Sequence, residues 1–540
     1  HYMDTYAGRR ISRVCIASML AGCSFNQAAS EDGSQQVYSA RVMSAPAASV
    51  APSEVTLGLE LEAPVVRVSE RYVSVAVDAA QVVGGVFWDP SGKREGGLGT
   101  ARYEPLDFDH PRLRALAGAL APSMLRVGGS EADRIYYDLG GESSVRPPRG
   151  FHEVLTKQRW DEVGRFAREL DFEVIFTLNA GPGVRDESGR WMDEQARALV
   201  AYTTERAYPV RVWELGNELN AFWVVHGITE SVAPAVYGED LQRARRVLDE
   251  VAPGAKLAGP SSAFWPKWGE GVRVMGRALE AAGGAVDVVT WHYYPQQSSR
   301  CPVRSRPARP WTLLDGDNLD EVSRWAGVVE RARDAHAPGA EVWLGETGHA
   351  QCGGQVGLSD TFASSLWWVD QLGLIARRGQ PVAVRQTLVG SDYGLLDPET
   401  FAPRPDYWAT LLWRRLMGAR VLEATLEGGA EHVRTYAHCM RGAPGHVSVV
   451  LINRSAWRRA SVELPSRPGS RAVHVLSAAG LRSRTVRHNG RVLELGPDDA
   501  LPAIEPEEHG EDTLELAPNS IAFVLWDASA PACHGEVASR

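Results

Sequence analysis

The stretch Arg211-Val-Trp-Glu-Leu-Gly-Asn-Glu218 decides the fold. Val212, Trp213 and Leu215 mix β-branched, aromatic and aliphatic side chains, as a buried parallel strand does. The strand stops on Gly216, Asn217 and Glu218, leaving an amide and a carboxylic acid at its carboxyl end. Glu341-Val-Trp-Leu-Gly-Glu346 repeats the pattern, apolar residues and then glycine and glutamate. In a (β/α)8 barrel that end of the strands carries the catalytic residues. The two glutamates are roughly 130 residues apart, chain enough for about three further β/α units, which puts them on strands 4 and 7. Two acids facing each other across a sugar is how most glycosidases work. The pattern predicts a retaining glycoside hydrolase.

Outward from these two stretches, further strand-like segments run over 72–78, 124–130, 173–178, 256–259, 286–292 and 382–386. Helical spacing separates them, for example over 110–120, 160–170 and 240–251, so a parallel α/β architecture is expected over 72–415. After about Gly418 the helices cease. Short strands over 420–426, 431–439, 446–453, 460–464, 472–476 and 521–526 predict a smaller antiparallel β-sandwich over 416–530, followed by a tail over 531–540. Strand-like pieces over 54–71, around Leu57 and Val66, precede the barrel and are expected to join that sandwich.

At 540 residues the chain suits a barrel and a companion domain. Its 44% apolar and 23% charged composition is that of a globular protein, and no run is long enough to span a membrane. The net charge of −10 argues against a nucleic-acid partner, and a polyanionic substrate needs a local basic patch. The cysteines of the body show no metal-type clustering, and no metal or cofactor is expected.

His1-Tyr2 precede Met3 and are set aside. Arg9, Arg10 and Arg13, a short apolar run, and Leu20-Ala-Gly-Cys23 read as a lipoprotein-type signal segment over 1–23, with Cys23 acylated. The Ser/Ala/Gln/Pro-rich segment over 24–53 reads as a flexible tether. The expected location is therefore outside the cytoplasm, in a bacterial envelope as an outer-membrane lipoprotein or secreted. Membrane contact would come only through that anchor, and the protein is expected to be a monomer. Cys301, Cys352, Cys439 and Cys533 are read as disulfide-bonded, because export favours oxidation.

Trp213-Glu-Leu-Gly-Asn-Glu218 and Val342-Trp-Leu-Gly-Glu-Thr347 resemble the two catalytic signatures of clan A glycosidases. With Ser74-Val-Ala-Val-Asp78, Leu125-Arg-Val-Gly-Gly129, Thr290-Trp-His-Tyr-Tyr294, Leu358-Ser-Asp-Thr-Phe362, Val384-Arg-Gln386 and Pro405-Asp-Tyr-Trp408, the chain is similar to glycoside hydrolase family 79. That family comprises the heparanases and related β-glucuronidases. The resemblance implies a barrel with a β-sandwich built from both chain ends. It implies Glu218 as acid/base, Glu346 as nucleophile and Asn217 at the sugar 2-hydroxyl. Asp78 would hold hydroxyls of the glucuronic acid, and Gly353, Gly354 and Tyr393 its carboxylate. Ser130, His292, Tyr294 and Gln386 are further candidates. Ser130 stands where animal members have threonine, Ala80 where they have asparagine, and Cys352 where a glycine triplet begins. Only a short loop separates Tyr137 from Trp160, so the chain is expected to be active without the excision that animal members undergo.

Arg300, Arg304, Arg306 and Arg309 share one loop after strand 6 and are candidates for sulfate recognition, since guanidinium matches sulfate and carboxylate geometry. The expected substrate is an acidic polysaccharide like heparan sulfate, cut internally. Exo-action on chain ends and a glycan-binding protein without catalysis remain as alternatives. Four cysteines permit three pairings. Cys439–Cys533 matches a cysteine pair of the animal members, and Cys301–Cys352 joins the loops after strands 6 and 7.

Overall fold

The computed structural model describes residues 51–89, 99–140, 146–466 and 468–534. Cys15, Cys23 and the expected leader and tether through residue 50 lie outside the described residues.

Eight parallel strands close in sequential order into a barrel: Val73–Asp78, Ser123–Gly128, Phe172–Leu178, Val210–Leu215, Lys256–Phe264, Val288–Tyr293, Glu341–Thr347 and Ala383–Arg385. They are called barrel strands 1 to 8 below. Strand 8 returns to strand 1, with Ala383 opposite Val73. A helix follows each strand, and the one after strand 2 shows why it forms. Thr156 caps Lys157–Glu169 by accepting from the Arg159 N–H, and Trp160, Val163, Phe166 and Ala167 form its buried stripe.

The barrel interior is layered, because side chains on a strand alternate between its two faces. Ala76, Met124, Ile175, Val212, Ala258, Val288, Trp343 and Val384 fill an apolar layer. Two residues further along four of these strands come Asp78, Arg126, Thr177 and Glu214, all buried. A polar layer thus rests on an apolar one, toward the carboxyl ends.

The expected sandwich forms from both chain ends. One sheet pairs Ser53–Leu59 with Ala424–Gly428 and Ala460–Glu463, and the latter with Thr513–Leu516. The other, larger sheet contains Met417–Leu422, Val433–Met440, Val447–Asn453, Ser520–Trp526 and Arg471–Ser477. Leu57, Val462 and Leu514 of the first pack with Leu422, Val449 and Val524 of the second in one apolar cluster. Two readings need correction. The segment 420–426 is not one strand: Met417–Leu422 belongs to the larger sheet and Ala424–Gly428 to the smaller, so the chain changes sheets at Glu423. The sandwich is also not wholly antiparallel, because Ser53–Leu59 runs parallel to Ala460–Glu463.

The larger sheet docks on the barrel through Tyr436, which lies on Gly373 of the helix Phe362–Arg377 and donates to Asp370 (2.7 Å). Both bridges are present, Cys301–Cys352 and Cys439–Cys533, with Cα separations of 5.5 and 5.3 Å. Cys533 is buried in a short turn of 3-10 helix, so the bridge pins the start of the expected tail to the sandwich, and residues 535–540 lie outside the described residues. Among the described residues no helix is long and apolar enough to cross a membrane.

Candidate active site

Two register shifts build the site. Between barrel strands 6 and 7, Trp291 faces Leu344 but His292 faces Glu346, so Gly345 is the extra residue of a bulge. Between strands 5 and 6 the extra residue is Ser261, at φ 56°. Its carbonyl accepts from the Glu218 N–H (3.0 Å) and its hydroxyl bonds His292 Nε2 (2.8 Å). Glu218 itself stands at φ 52°, ψ 52°, a left-handed conformation costly for a residue with a Cβ. The first turn beyond strand 4, not the strand itself, therefore aims this acid.

The two glutamates meet as the spacing predicted. Glu218, His292 and Glu346 each place one ligand atom within 4.8 Å of the other two. His292 Nδ1 lies 2.9 Å from Glu218 Oε1 and 3.8 Å from Glu346 Oε2. Glu346 accepts from Tyr294 (2.6 Å) on one oxygen and from Arg126 (2.8 Å) on the other. Burial opposes its ionisation, but His292, Arg126 and Tyr294 together outweigh it and hold the carboxyl below the usual range. Arg126 also donates to Glu214 (2.8 and 3.0 Å) and to Asn217 Oδ1 (2.8 Å). Guanidinium has no acceptor, so this contact fixes the orientation of the Asn217 amide, whose NH2 has no protein acceptor among the described residues. The Asn217 N–H is held by Asp133 (2.9 Å).

Beside this pair, Asp78 accepts from the Ala80 N–H (3.0 Å) and from Gln386 Nε2 (3.3 Å). Burial, only partly relieved by Ala80 and reinforced by Glu346, pushes its carboxyl up to about 8. A Cβ on Gly129 would sit 2.2 Å from Asp78 Oδ2, so that glycine admits the carboxyl, and half-buried Ser130 follows it. Cys352, Gly353 and Gly354 all have positive φ, and neither glycine N–H has a protein acceptor among the described residues. Ser391 Oγ crowds Gly353, and the Tyr393 ring lies 6.4 Å from that of Tyr294. Gln386 Oε1 and Ser391 Oγ are buried without protein partners among the described residues. Unpaired polar groups gathered beside two carboxylates mark a place for a polar ligand.

The arginine loop differs from its expectation. Arg300 donates to the carbonyls of Gly354 and Asp89 (2.8 Å each) and pairs with Asp392, while Arg306 pairs with Glu321 (2.6 Å) and Asn318 (2.7 Å). Both tie the loop to neighbouring segments of the chain, because half-buried cations need acceptors. Arg304 and Arg309 are exposed and line a surface depression.

Arg126, Glu214, Thr177, Ser261, Asp133 and Ser391 were not among the residues singled out from sequence. For Arg126 and Glu214 a signal existed, a charge inside an otherwise apolar strand. Among the described residues, Glu218, His292 and Glu346 are the group spaced to hold a metal ion. Arg126 already lies on the inner oxygen of Glu346 and both ring nitrogens of His292 are engaged, so the trio is a poor cation site.

A family model described as glycosyl hydrolase family 79, N-terminal domain, matches residues 63–373. The chain belongs to glycosyl hydrolase family 79. It is accordingly a glycoside hydrolase. Among family 79 relatives, the heparanase of Gallus gallus is 30% identical over 88% of this chain and 96% of its own length. The baicalin-β-D-glucuronidase of Scutellaria baicalensis is 29% identical over 86% of this chain and 90% of its own. Among solved structures, the α-L-arabinofuranosidase of Thermotoga maritima aligns with a TM-score of 0.60 at 14% identity, covering 87% of this chain and 99% of that one. At that identity the likeness is one of fold alone.

Proposed function

We propose that this chain is a retaining β-glucuronidase that cleaves glucuronic acid linkages within heparan sulfate-like chains. The observation that carries the reading is the close pair, Glu218 and Glu346 with oxygens within 4.8 Å, beside a pocket of unpaired polar groups. Retaining enzymes keep their carboxyl groups about 5–5.5 Å apart, whereas inverting ones leave room for a water. Glu346, held ionised by Arg126 and Tyr294, attacks the anomeric carbon and forms a glycosyl ester. Glu218 gives its proton to the departing glycosidic oxygen, then takes one from the water that cleaves the ester. Asn217 donates to the 2-hydroxyl as the oxocarbenium ion develops, Asp78 and Gln386 hold the remaining hydroxyls, and Gly353, Gly354 and Tyr393 take the carboxylate. The chain acts without internal excision, as a monomer, tethered through acylated Cys23 in a bacterial envelope.

Glu346→Gln should abolish turnover with the fold retained. Glu218→Gln should inactivate natural substrates and keep part of the activity on an aryl glucuronide whose leaving group needs no protonation. Full activity of either variant on heparan sulfate would sink the assignment. Exo-action is the second reading, supported by similarity to the glucuronidase named above. It is also supported by exposed Trp223, in the short helix Phe222–Val225 after strand 4, and exposed Trp268, in the turn after strand 5, which could stack on a small glucuronide. Product sizing separates the two: an endo enzyme shortens the polymer from within, an exo enzyme releases only terminal sugar. Mass spectrometry of native protein tests the anchor, and an unmodified Cys23 would refute it.

A further inference from the structure

Arg304, Arg309 and Trp311 from the loop after strand 6, Gln355 and Val356 from the loop after strand 7, and Arg482 from the sandwich line one surface depression. Among the described residues no acidic side chain lines it, although the whole chain carries a net charge of −10. None of the three arginines has a carboxylate partner among the described residues, whereas Arg300 and Arg306 in the same loop both do. Trp311 is 70% exposed, and the Arg309 guanidinium lies 5.5 Å from its ring centre. A cationic cluster without carboxylate partners beside a largely exposed indole matches an anionic sugar, whose charged groups take guanidinium and whose ring face takes an aromatic plane.

The depression is rigidly built. Cys301–Cys352 ties its two barrel loops together, and Gln355 accepts from the Ser299 N–H (2.9 Å). The sandwich turn carrying Arg482 is fixed to the helix Phe362–Arg377, whose Phe362 and Ala363 N–H groups donate to Ser483 and Leu481 (2.9 Å each). Groups that bind the catalytic pair do not line it. Its walls come from both halves of the molecule, a common place for ligand sites.

We propose that this depression is a second, non-catalytic binding site for an anionic glycan segment, with Arg304, Arg309 and Arg482 on its sulfate or carboxylate groups and Trp311 against a sugar ring. Only the choice of glycan rests on the function proposed above. A long chain held there and in the catalytic cleft at once gains affinity through effective concentration, which a monomeric substrate cannot.

The test uses full-length protein with Glu346→Gln to stop turnover, and three probes: heparan sulfate, an unsulfated glucuronate-containing polymer, and inorganic polyphosphate. Arg304→Gln with Arg482→Gln should weaken heparan sulfate binding about tenfold. In the active enzyme the same pair should leave kcat/KM for an aryl glucuronide unchanged. Trp311→Ala should weaken both glycans and spare polyphosphate. An arginine effect confined to the sulfated polymer assigns sulfate as the recognised group, and an equal effect on both assigns carboxylate; either upholds the site. Parental affinity in both variants overturns the proposal, as does a Trp311→Ala loss that is equal for polyphosphate. If the parent hydrolyses no glucuronide, the catalytic reading fails while the binding comparison still decides this site.

Discussion

One guanidinium, that of Arg126, reaches Glu346, Glu214 and Asn217, and the charge balance of the barrel depends on it. Arg126→Met would leave Glu214 and Glu346 buried without their shared cation, so a proton should replace it. The acid limb of the kcat/KM profile should then move to higher pH, with activity reduced about 100-fold or more. An unmoved limb would show that His292 and Tyr294 suffice to keep Glu346 ionised. Asp78 makes the opposite prediction. Its carboxyl titrates near 3.8 when unfolded and at about 8 in the fold. Between those values the native state keeps a proton that the unfolded chain has released. This contribution to stability is full below the unfolded value and is lost as pH rises toward 8. Asp78→Asn should therefore flatten Tm against pH from about 4 to 8 and raise Tm near pH 8 relative to the parent. It should lower kcat/KM about 100-fold by losing a group that holds the sugar. A Tm profile unchanged in slope would refute the buried, protonated Asp78.

At the scale of elements, the two bridges join loops of different kinds. Cys439–Cys533 links a sandwich strand to the terminal turn across 94 residues of sequence, and Cys301–Cys352 links two catalytic-face loops across 51. Chain entropy alone gives each about 4–5 kcal/mol, so stability does not separate them, but function should. The Cys301→Ser/Cys352→Ser variant frees the loop that carries Gly353 and Gly354, and KM for glucuronides should rise several-fold. The Cys439→Ser/Cys533→Ser variant should lower Tm and leave KM alone. Equal KM values in both variants would separate the bridge from carboxylate binding. The bulges at Gly345 and Ser261 work at the same scale, each shifting one residue so that His292 stands between two acids.

At the scale of the whole molecule, barrel and sandwich are joined by close packing as well as by the chain. A Cβ on Gly373 would lie 2.2 Å from the ring of Tyr436, and helix and sheet cannot both keep their places if one is added. Gly373→Ala should cost about 1–3 kcal/mol, read by calorimetry as a lower Tm for barrel and sandwich together. A variant that splits into two transitions, one at the parental Tm, would show that the halves unfold independently.

The eight barrel strands, the strand-end glutamates and the sandwich of both chain ends were legible because each rests on local patterning. A buried parallel strand must be apolar, and an acid at its end breaks that run visibly. The partners of a charge lie elsewhere in the chain, and local patterning does not name them. Arg126 meets residues 88 and 220 positions away, and nothing in Met124-Leu-Arg-Val says which. The same holds for the arginine loop, where four similar residues divide by what folding brings beside them. Arg300 and Arg306 find acids; Arg304 and Arg309 find an indole and an arginine from the other domain. Sequence by itself determined the framework and the two acids, because burial dictates residue type. The tertiary structure alone decided the electrostatics, because Coulomb energy depends on separation in space and not along the chain.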